Sequence, residues 1–265
     1  MITRRHSLLA LPAFAFAPAR AQDRAALVRA IAPTGTLRAV INVGNPILAS
    51  RAPGDPSPRG ISVDLTQELA RRLSVPVELI VMPSAGRSVE TMRAENADIG
   101  FFAIDASRGQ GIDFTAPYVK IEGTYLVRDT SPINNIEEVD RRGIRVAVAL
   151  NSAYDLFLRR EIRNATLVRV ATSPNVVEEF LRQNIEVAAG VRQQLEADAR
   201  RFPGVRVLPG RFMVIQQAMG LAGGRDAVGL AYVSDFIEDV KASGFIASAL
   251  MRHGIEGAAV APLRG

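Results

Sequence analysis

Cysteine is absent from the 265-residue chain. Its absence excludes disulfide bridges, thiolate nucleophiles and cysteine-ligated zinc. Histidine is nearly absent, being confined to His6 and His253. His6 falls in an N-terminal segment that reads as an export signal, so a Ser-His-Asp triad or a multi-histidine metal site would depend on His253 alone. That residue stands beside Gly254 at the end of a predicted helix, where a cation is favoured by the helix dipole, and it is expected to be exposed there. No cofactor and no metal are expected. Lysine is scarce as well, occurring at Lys120 and Lys241. No Lys/Arg-rich cluster with interleaved aromatics occurs, so no nucleic-acid partner is expected. Beyond the N-terminus no apolar run approaches the about 20 residues needed to cross a bilayer.

The N-terminus carries a targeting pattern. Arg4 and Arg5 precede an apolar run from Ser7 to Ala19, broken by Pro12 and Pro18, and Ala19-Arg20-Ala21 forms a small-residue cleavage site. Residues 1–21 are therefore expected to be a signal peptide, with the mature chain starting near Gln22. Thr3-Arg4-Arg5 followed by Leu8 suggests twin-arginine export, whereas Ser7, where phenylalanine is usual, leaves Sec export open. The formal charge of +5 falls to +2 once Arg4, Arg5 and Arg20 leave with no acid. An exported chain without disulfides relies on its own core, and this one is long enough to build it.

Downstream, short apolar runs alternate with helical periodicity. Residues 22–35 read as an amphipathic lead-in. Strands are expected at Leu37–Val43, Val75–Val81 and Ile99–Phe102, with helices from Ser62, as cap, to Arg72 and over Arg87–Ala94. Gly44 to Arg59 is rich in Gly, Pro and Ser and reads as a loop. Tyr118–Val127 is a long strand-like run. Then come a short helix at Asn134–Arg142, a strand at Ile144–Ala149, and a helix capped by Ser152, with Asp155 three residues on. Further expectations are a strand at Thr166–Val170, a helix capped by Ser173, a strand at Glu186–Gly190, a helix at Arg192–Arg201 and a strand at Val205–Leu208. The chain closes with a return strand at Arg211–Gly220, helices at Asp226–Ala242 and Phe245–Arg252, and a frayed tail after Gly257. No internal repeat is visible. Strand–helix alternation with short connections signals parallel sheets with right-handed crossovers.

The stretch Asp98–Tyr118, D-I-G-F-F-A-I-D-A-S-R-G-Q-G-I-D-F-T-A-P-Y, places Arg108 on a polar turn between two strand ends. A turn arginine is expected outside the core, at the carboxyl edge where open α/β sheets bind ligands. Its planar fork of donors suits a carboxylate. A pair with Asp105, three residues earlier, is the alternative.

This run, with Arg108 five residues before Asp113-Phe114-Thr115-Ala116-Pro117-Tyr118, resembles the signature of periplasmic solute-binding proteins of the polar amino-acid type (family 3). Gly60–Leu65 resembles the same family's helix entry. The resemblance extends more loosely from about Thr36 to Gly254. It implies a two-lobed α/β fold of the type II periplasmic-binding-protein class, lobe 2 being inserted into lobe 1 and joined by a two-strand hinge. Lobe 1 would comprise residues 35–125 and 216–256, and lobe 2 residues 126–215. The implied function is capture of a small carboxylate or amino-acid-like ligand in the periplasm for delivery to the membrane permease of an ABC importer, by a monomer without enzymatic activity. Some relatives of this fold resemble cyclohexadienyl dehydratases, and others report to membrane sensors. Dehydration needs a cleft acid poised to give a proton, and Asp105, Asp155 and Glu122 are the candidates.

Arg108 in lobe 1 and the backbone N–H groups at the Ser152-Ala153 helix start in lobe 2 are expected to hold the carboxylate. The positions that carry hydroxyls in amino-acid-binding relatives align here with Phe101 and Ala103. The aromatic platform aligns with Asn45. The usual acids for the ligand's ammonium align with Asn42 and Val191, the latter followed by Arg192. Phe101, Phe102, Tyr118 and Tyr125 are read as core residues or as an apolar wall. Arg87 and Arg192 are candidate second cations, either in the cleft or solvated at helix starts, and one of Gln216 and Gln217 is expected to face the cleft. An ammonium without anionic partners is costly to bury, so a carboxylate, a dicarboxylate, or an amino acid held by neutral acceptors is expected.

Overall fold

The computed structural model describes residues 19–52 and 54–264. The expected signal sequence through residue 18 lies outside the described residues. In order, the chain forms α1 (Ala19–Ile31), β1 (Leu37–Asn42), α2 (Ile61–Leu73), β2 (Val77–Met82), α3 (Ala85–Arg93), β3 (Ile99–Ala103) and β4 (Ile112–Arg128). There follow β5 (Arg145–Ala149), α4 (Ala153–Glu161), β6 (Thr166–Val170), α5 (Val176–Arg182), β7 (Val187–Val191), α6 (Arg192–Arg201), β8 (Val205–Val207), β9 (Met213–Ala222), α7 (Ala227–Ala242), α8 (Phe245–Arg252) and β10 (Ala259–Val260).

The strands run in the order β2-β1-β3-β9-β4-β7-β5-β6, with β8 and β10 also pairing β4. This order contains the same unit twice. In the first half β1 lies parallel between β2 and β3, and β3 pairs antiparallel with β9. In the second half β5 lies parallel between β6 and β7, and β7 pairs antiparallel with β4. An equivalent ion pair pins each unit. The Arg38 backbone N–H and guanidinium both donate to Asp98, just before β3. The Arg145 N–H and guanidinium both donate to Glu186, just before β7. The sequence shows no repeat, yet the strand order and these pairs are duplicated.

β3 and β7 are buried along their whole length, as parallel-type strands covered on both faces must be. The first half packs Leu37, Ile41, Leu65, Leu69, Ile99, Phe236 and Ile237 into one core. The second packs Val146, Val148, Leu158, Phe180, Val187 and Leu195 into another. α2 supplies Ile61, Leu65, Leu69 and Leu73, one buried face at four-residue steps. β4 and β9 run through both halves, paired from Ile112↔Ala222 to Gly123↔Met213.

Several expectations need correction. The strand end that follows the Arg108 turn is not separate from the Tyr118–Val127 run, because β4 continues through Pro117. The ladder shifts register on both sides of that residue, as a strand lacking one N–H donor requires. The cap of α2 is Gly60 (φ 132°), not Ser62, which is buried inside the helix and whose N–H donates to the Leu48 carbonyl. Asn134–Arg142 forms only a 3-10 turn at Ile136–Glu138. Ser173 opens a 3-10 turn after Thr172 instead of capping α5, and its hydroxyl accepts from Tyr154 at 2.9 Å. The C-terminal tail is not frayed at its start, since β10 pairs with Val119 and Lys120 of β4. His253 is half-buried, with Nε2 at 2.9 Å from Asp64 Oδ2.

Candidate functional site

A cleft holding about 650 Å³ of empty space, its mouth included, lies where the carboxyl ends of the two parallel units face each other. From the first half it is lined by Asn42 at the end of β1, Asn45 on the following loop, Phe101, Phe102 and Ala103 at the end of β3, and Arg108. From the second half come Ser152, Ala153 and Tyr154 at the start of α4, Ser173, and the end of β7 with Gln194 of α6. Ile215 and Gln217 of β9 complete the wall.

Arg108 is 4% exposed, against the expectation of a turn residue outside the core. It is buried because the second half covers it. Nη1 donates to the Ala103 carbonyl at 3.2 Å, and Nη2 donates across the cleft to the Asn151 carbonyl at 2.9 Å. Asp105 is not its ion partner, since that carboxylate is held by Ser107 and by Arg160. Burial lowers the Arg108 guanidinium to about 10, with Asp105 opposing and Arg93 reinforcing the shift, so it stays charged at neutral pH. Two of its five N–H groups are engaged with carbonyls, which leaves three donors.

Opposite Arg108, Asn151 takes the left-handed conformation (φ 56°), which asparagine tolerates better than most residues. The side chain of Asp155 holds this turn. The carboxylate is fully buried, accepts from the Asn151 N–H at 2.9 Å, and pairs with Arg159 and Arg169. Ser152 caps α4, its Oγ accepting from the Asp155 N–H at 3.0 Å. The N–H of Ser152 is already given to the Ala149 carbonyl, so the orphan donors at this helix start are those of Ala153 and Tyr154. The halves also meet where Gly86 faces Asn151. A Cβ there would lie 3.2 Å from the Asn151 Cβ, so only glycine fits this approach without displacement.

Of the residues singled out from the sequence, the structure brings together Arg108, Phe101, Phe102, Ala103, Asn42, Asn45, Ser152 and Ala153. It does not bring in Arg87 and Arg192. Arg87 pairs with Glu90 on the surface of α3. Arg192 bonds Glu122 at 2.9 Å and the Gly210 carbonyl, turned toward the hinge strands. Tyr118 and Tyr125 are core residues outside the lining; Tyr118 meets the edge of Phe101, and Tyr125 lies against Phe212. Of the two hinge glutamines, Gln217 lines the cleft and Gln216 is exposed. Tyr154, Ser173 and Gln194 carry no sequence signal for this role, because long-range packing alone carries them to the cleft. Among the described residues no cluster suits a metal ion, and no helix is long and apolar enough to cross a membrane.

Comparison with known proteins agrees with this architecture. A mutant of ArgBP from T. maritima superposes with a TM-score of 0.74 at 19% identity, covering 87% of this chain and 100% of that one. The solute receptor for L-cysteine of Neisseria gonorrhoeae gives 0.75 at 21%, covering 87% and 94%. An ancestral amino-acid-binding protein, a precursor of cyclohexadienyl dehydratase, gives 0.72 at 18%, covering 86% and 98%. At these identities the likeness shows the fold, a two-lobed type II periplasmic-binding architecture. A search of curated proteins by sequence finds no match. The model for bacterial extracellular solute-binding proteins, family 3, matches residues 38–254, and the chain belongs to that family.

Proposed function

We propose that this protein captures a small carboxylate or amino-acid-like ligand in the periplasm and delivers it, as a monomer, to the permease of an ABC importer. Residues 35–125 with 216–256 form one lobe and 126–215 the other, and they close as rigid bodies on β4 and β9. The observation that carries the reading is Arg108, a buried cation at the lobe boundary with three N–H donors left over and no carboxylate among the described residues bonded to it. A ligand carboxylate there also faces the orphan N–H groups of Ala153 and Tyr154 on the other lobe, and a ligand touching both lobes favours the closed state.

The dehydratase reading finds less support. Asp105 is committed to Ser107 and Arg160, Asp155 to Arg159 and Arg169, and Glu122 to Arg192 and Arg211. None of the three lines the cleft.

A thermal-shift screen of carboxylates and amino acids tests the proposal, since a ligand that binds only the folded state raises Tm. For the best ligand, Arg108→Ala is expected to weaken binding by roughly 10- to 150-fold in calorimetry, the equivalent of roughly 1.5–3 kcal/mol for a charge-assisted contact. Unchanged affinity would contradict the role given to Arg108.

A further inference from the structure

The cleft contains one charged side chain, Arg108, among its described lining residues. All the other polar side chains in it are neutral: the amides of Asn42, Asn45, Gln194 and Gln217, and the hydroxyls of Ser152, Tyr154 and Ser173. One of the amides is unsatisfied. Asn45 Oδ1 is buried without a hydrogen-bond partner. Gln217 is 4% exposed and lines the cleft. A buried amide left unpaired costs free energy, and a native structure normally pairs it. By contrast Asn42 Oδ1 accepts from the Gly44 N–H, and Gln194 Nε2 donates to Asp198. The hydroxyls of Ser152 and Ser173 are engaged as well. The cleft therefore offers one cation, the unpaired Asn45 Oδ1 and the carboxamide of Gln217 in its wall.

We infer that this cleft selects a monocarboxylate carrying an uncharged hydrogen-bonding group, such as a hydroxyl or an amide, over zwitterions and dianions. The inference rests on the proposed reading of Arg108 as the carboxylate anchor. A single carboxylate neutralises the single buried guanidinium. A second carboxylate would be buried against neutral groups, as would an ammonium, and a desolvated charge without a counter-ion is strongly disfavoured. Asp198, behind the wall, is buried and bonded to Gln194; burial raises its carboxyl above the usual range, with Gln194 and Arg201 opposing. Arg87 and Arg192, which would have accommodated a second carboxylate, are paired elsewhere. A neutral hydroxyl or amide, in contrast, both gives and takes hydrogen bonds, which suits carboxamides whichever way they are turned.

The test uses carbon skeletons presented in matched forms to the purified protein: isocaproate, 2-hydroxyisocaproate and leucine; 3-phenylpropionate, phenyllactate and phenylalanine; N-acetylglycine and glycine; and succinate with glutarate as dianions. Melting shifts identify binders, and calorimetry ranks them. The expected result is that the hydroxy or N-acyl member of a set binds at least about tenfold more tightly than its amino counterpart, and that the dianions bind no better than the monoanions. Gln217→Leu is expected to lower the preference for the hydroxy or N-acyl acid over the unsubstituted acid by about tenfold. A purely structural role for Gln217 would not move that ratio. Amino acids or dianions binding as tightly as the neutral-substituted acids, or an unchanged ratio in Gln217→Leu, overturns the inference and leaves the solute-binding reading standing. Silence across every carboxylate overturns both.

Discussion

The contact between Asp105 and Arg160 is a direct test of lobe closure. Asp105 sits on the turn after β3 in the first half, Arg160 on α4 in the second, and their charged groups lie 3.0 Å apart. On the proposed lobe closure the pair exists only when the halves are together, so it would contribute to the closed state and not to the open one. Its size follows from its exposure. The carboxylate is 7% exposed, but the guanidinium is 53% exposed, so solvent screens the attraction to about 0.2–1 kcal/mol, a factor of roughly 1.4–5 in the closing constant. The assay is a double-mutant cycle by calorimetry with the best ligand, using Asp105→Asn, Arg160→Ala and the double variant. The cycle cancels the loss of the Ser107 contacts, which Asp105→Asn also disturbs. The pH dependence gives a second readout. Burial pushes the Asp105 carboxyl up, but the hydrogen bonds from Ser107 and the contact with Arg160 outweigh it and hold the group below the usual carboxylate range. Opening removes Arg160, and the part of the shift owed to that contact makes the group's pKa lower closed than open. Closure is therefore favoured in full above the open-state value and loses this contribution as pH falls from the usual carboxylate range through the lower closed-state value. Wild-type affinity is expected to fall over that window more steeply than that of Arg160→Ala, and the coupling is expected to shrink at high salt. Additive single effects, with Arg160→Ala titrating like the wild type, would refute the closure contact.

Two further outcomes test the scaffold beneath the cleft. Asp155→Ala is expected to destabilise the fold by about 2–3 kcal/mol, less than the loss of a fully buried pair because Arg159 and Arg169 are each more than a third exposed. That is a fall in Tm of about 4–12 °C, with weaker ligand binding because the Asn151 turn loses its anchor; an unchanged Tm by calorimetric unfolding would contradict the network. Gly60→Ala is expected to cost at least about 2 kcal/mol, since φ is 132° and a Cβ would lie 2.4 Å from the Leu48 carbonyl oxygen, and a wild-type denaturant midpoint would contradict that.

Much of the architecture was legible because burial writes periodicity into sequence. α6 and α8 begin and end at the residues expected, and β7, with β5 beyond Arg145, is an apolar run buried on both faces. The failures have physical causes. Asn134–Arg142 has the acids and bases of a helix but few apolar residues to bury, and isolated short helices are marginal in water. Asp140 instead accepts the N–H groups of Arg163, Asn164 and Ala165, which ties down the loop before β6. β10 was unreadable because two residues make no pattern, and only the unpaired edge of β4 explains them. The duplication of the two halves was also hidden, because it survives in strand order and in the Arg38–Asp98 and Arg145–Glu186 pairs and not in side-chain identity.

The cleft taught a narrower lesson. Arg108, Ser152 and the end of β3 were legible because each is tied to a turn or cap whose chemistry is local. Arg87 and Arg192 were misplaced because a charge in the sequence is not a charge in the site. Glu90 stands three residues after Arg87, and Glu196 four after Arg192, a spacing that brings opposite charges together on a helix face. Had these local acids been set against the arginines first, a cleft with one uncompensated cation would have followed from the sequence. Glu122 was beyond such reasoning, since seventy residues separate it from Arg192 and only the antiparallel meeting of β4 and β7 joins them. In this chain Glu90 and Glu122 hold Arg87 and Arg192 away from the cleft, so the number of cations lining it is set by the acids beside each arginine and not by the number of arginines the chain carries.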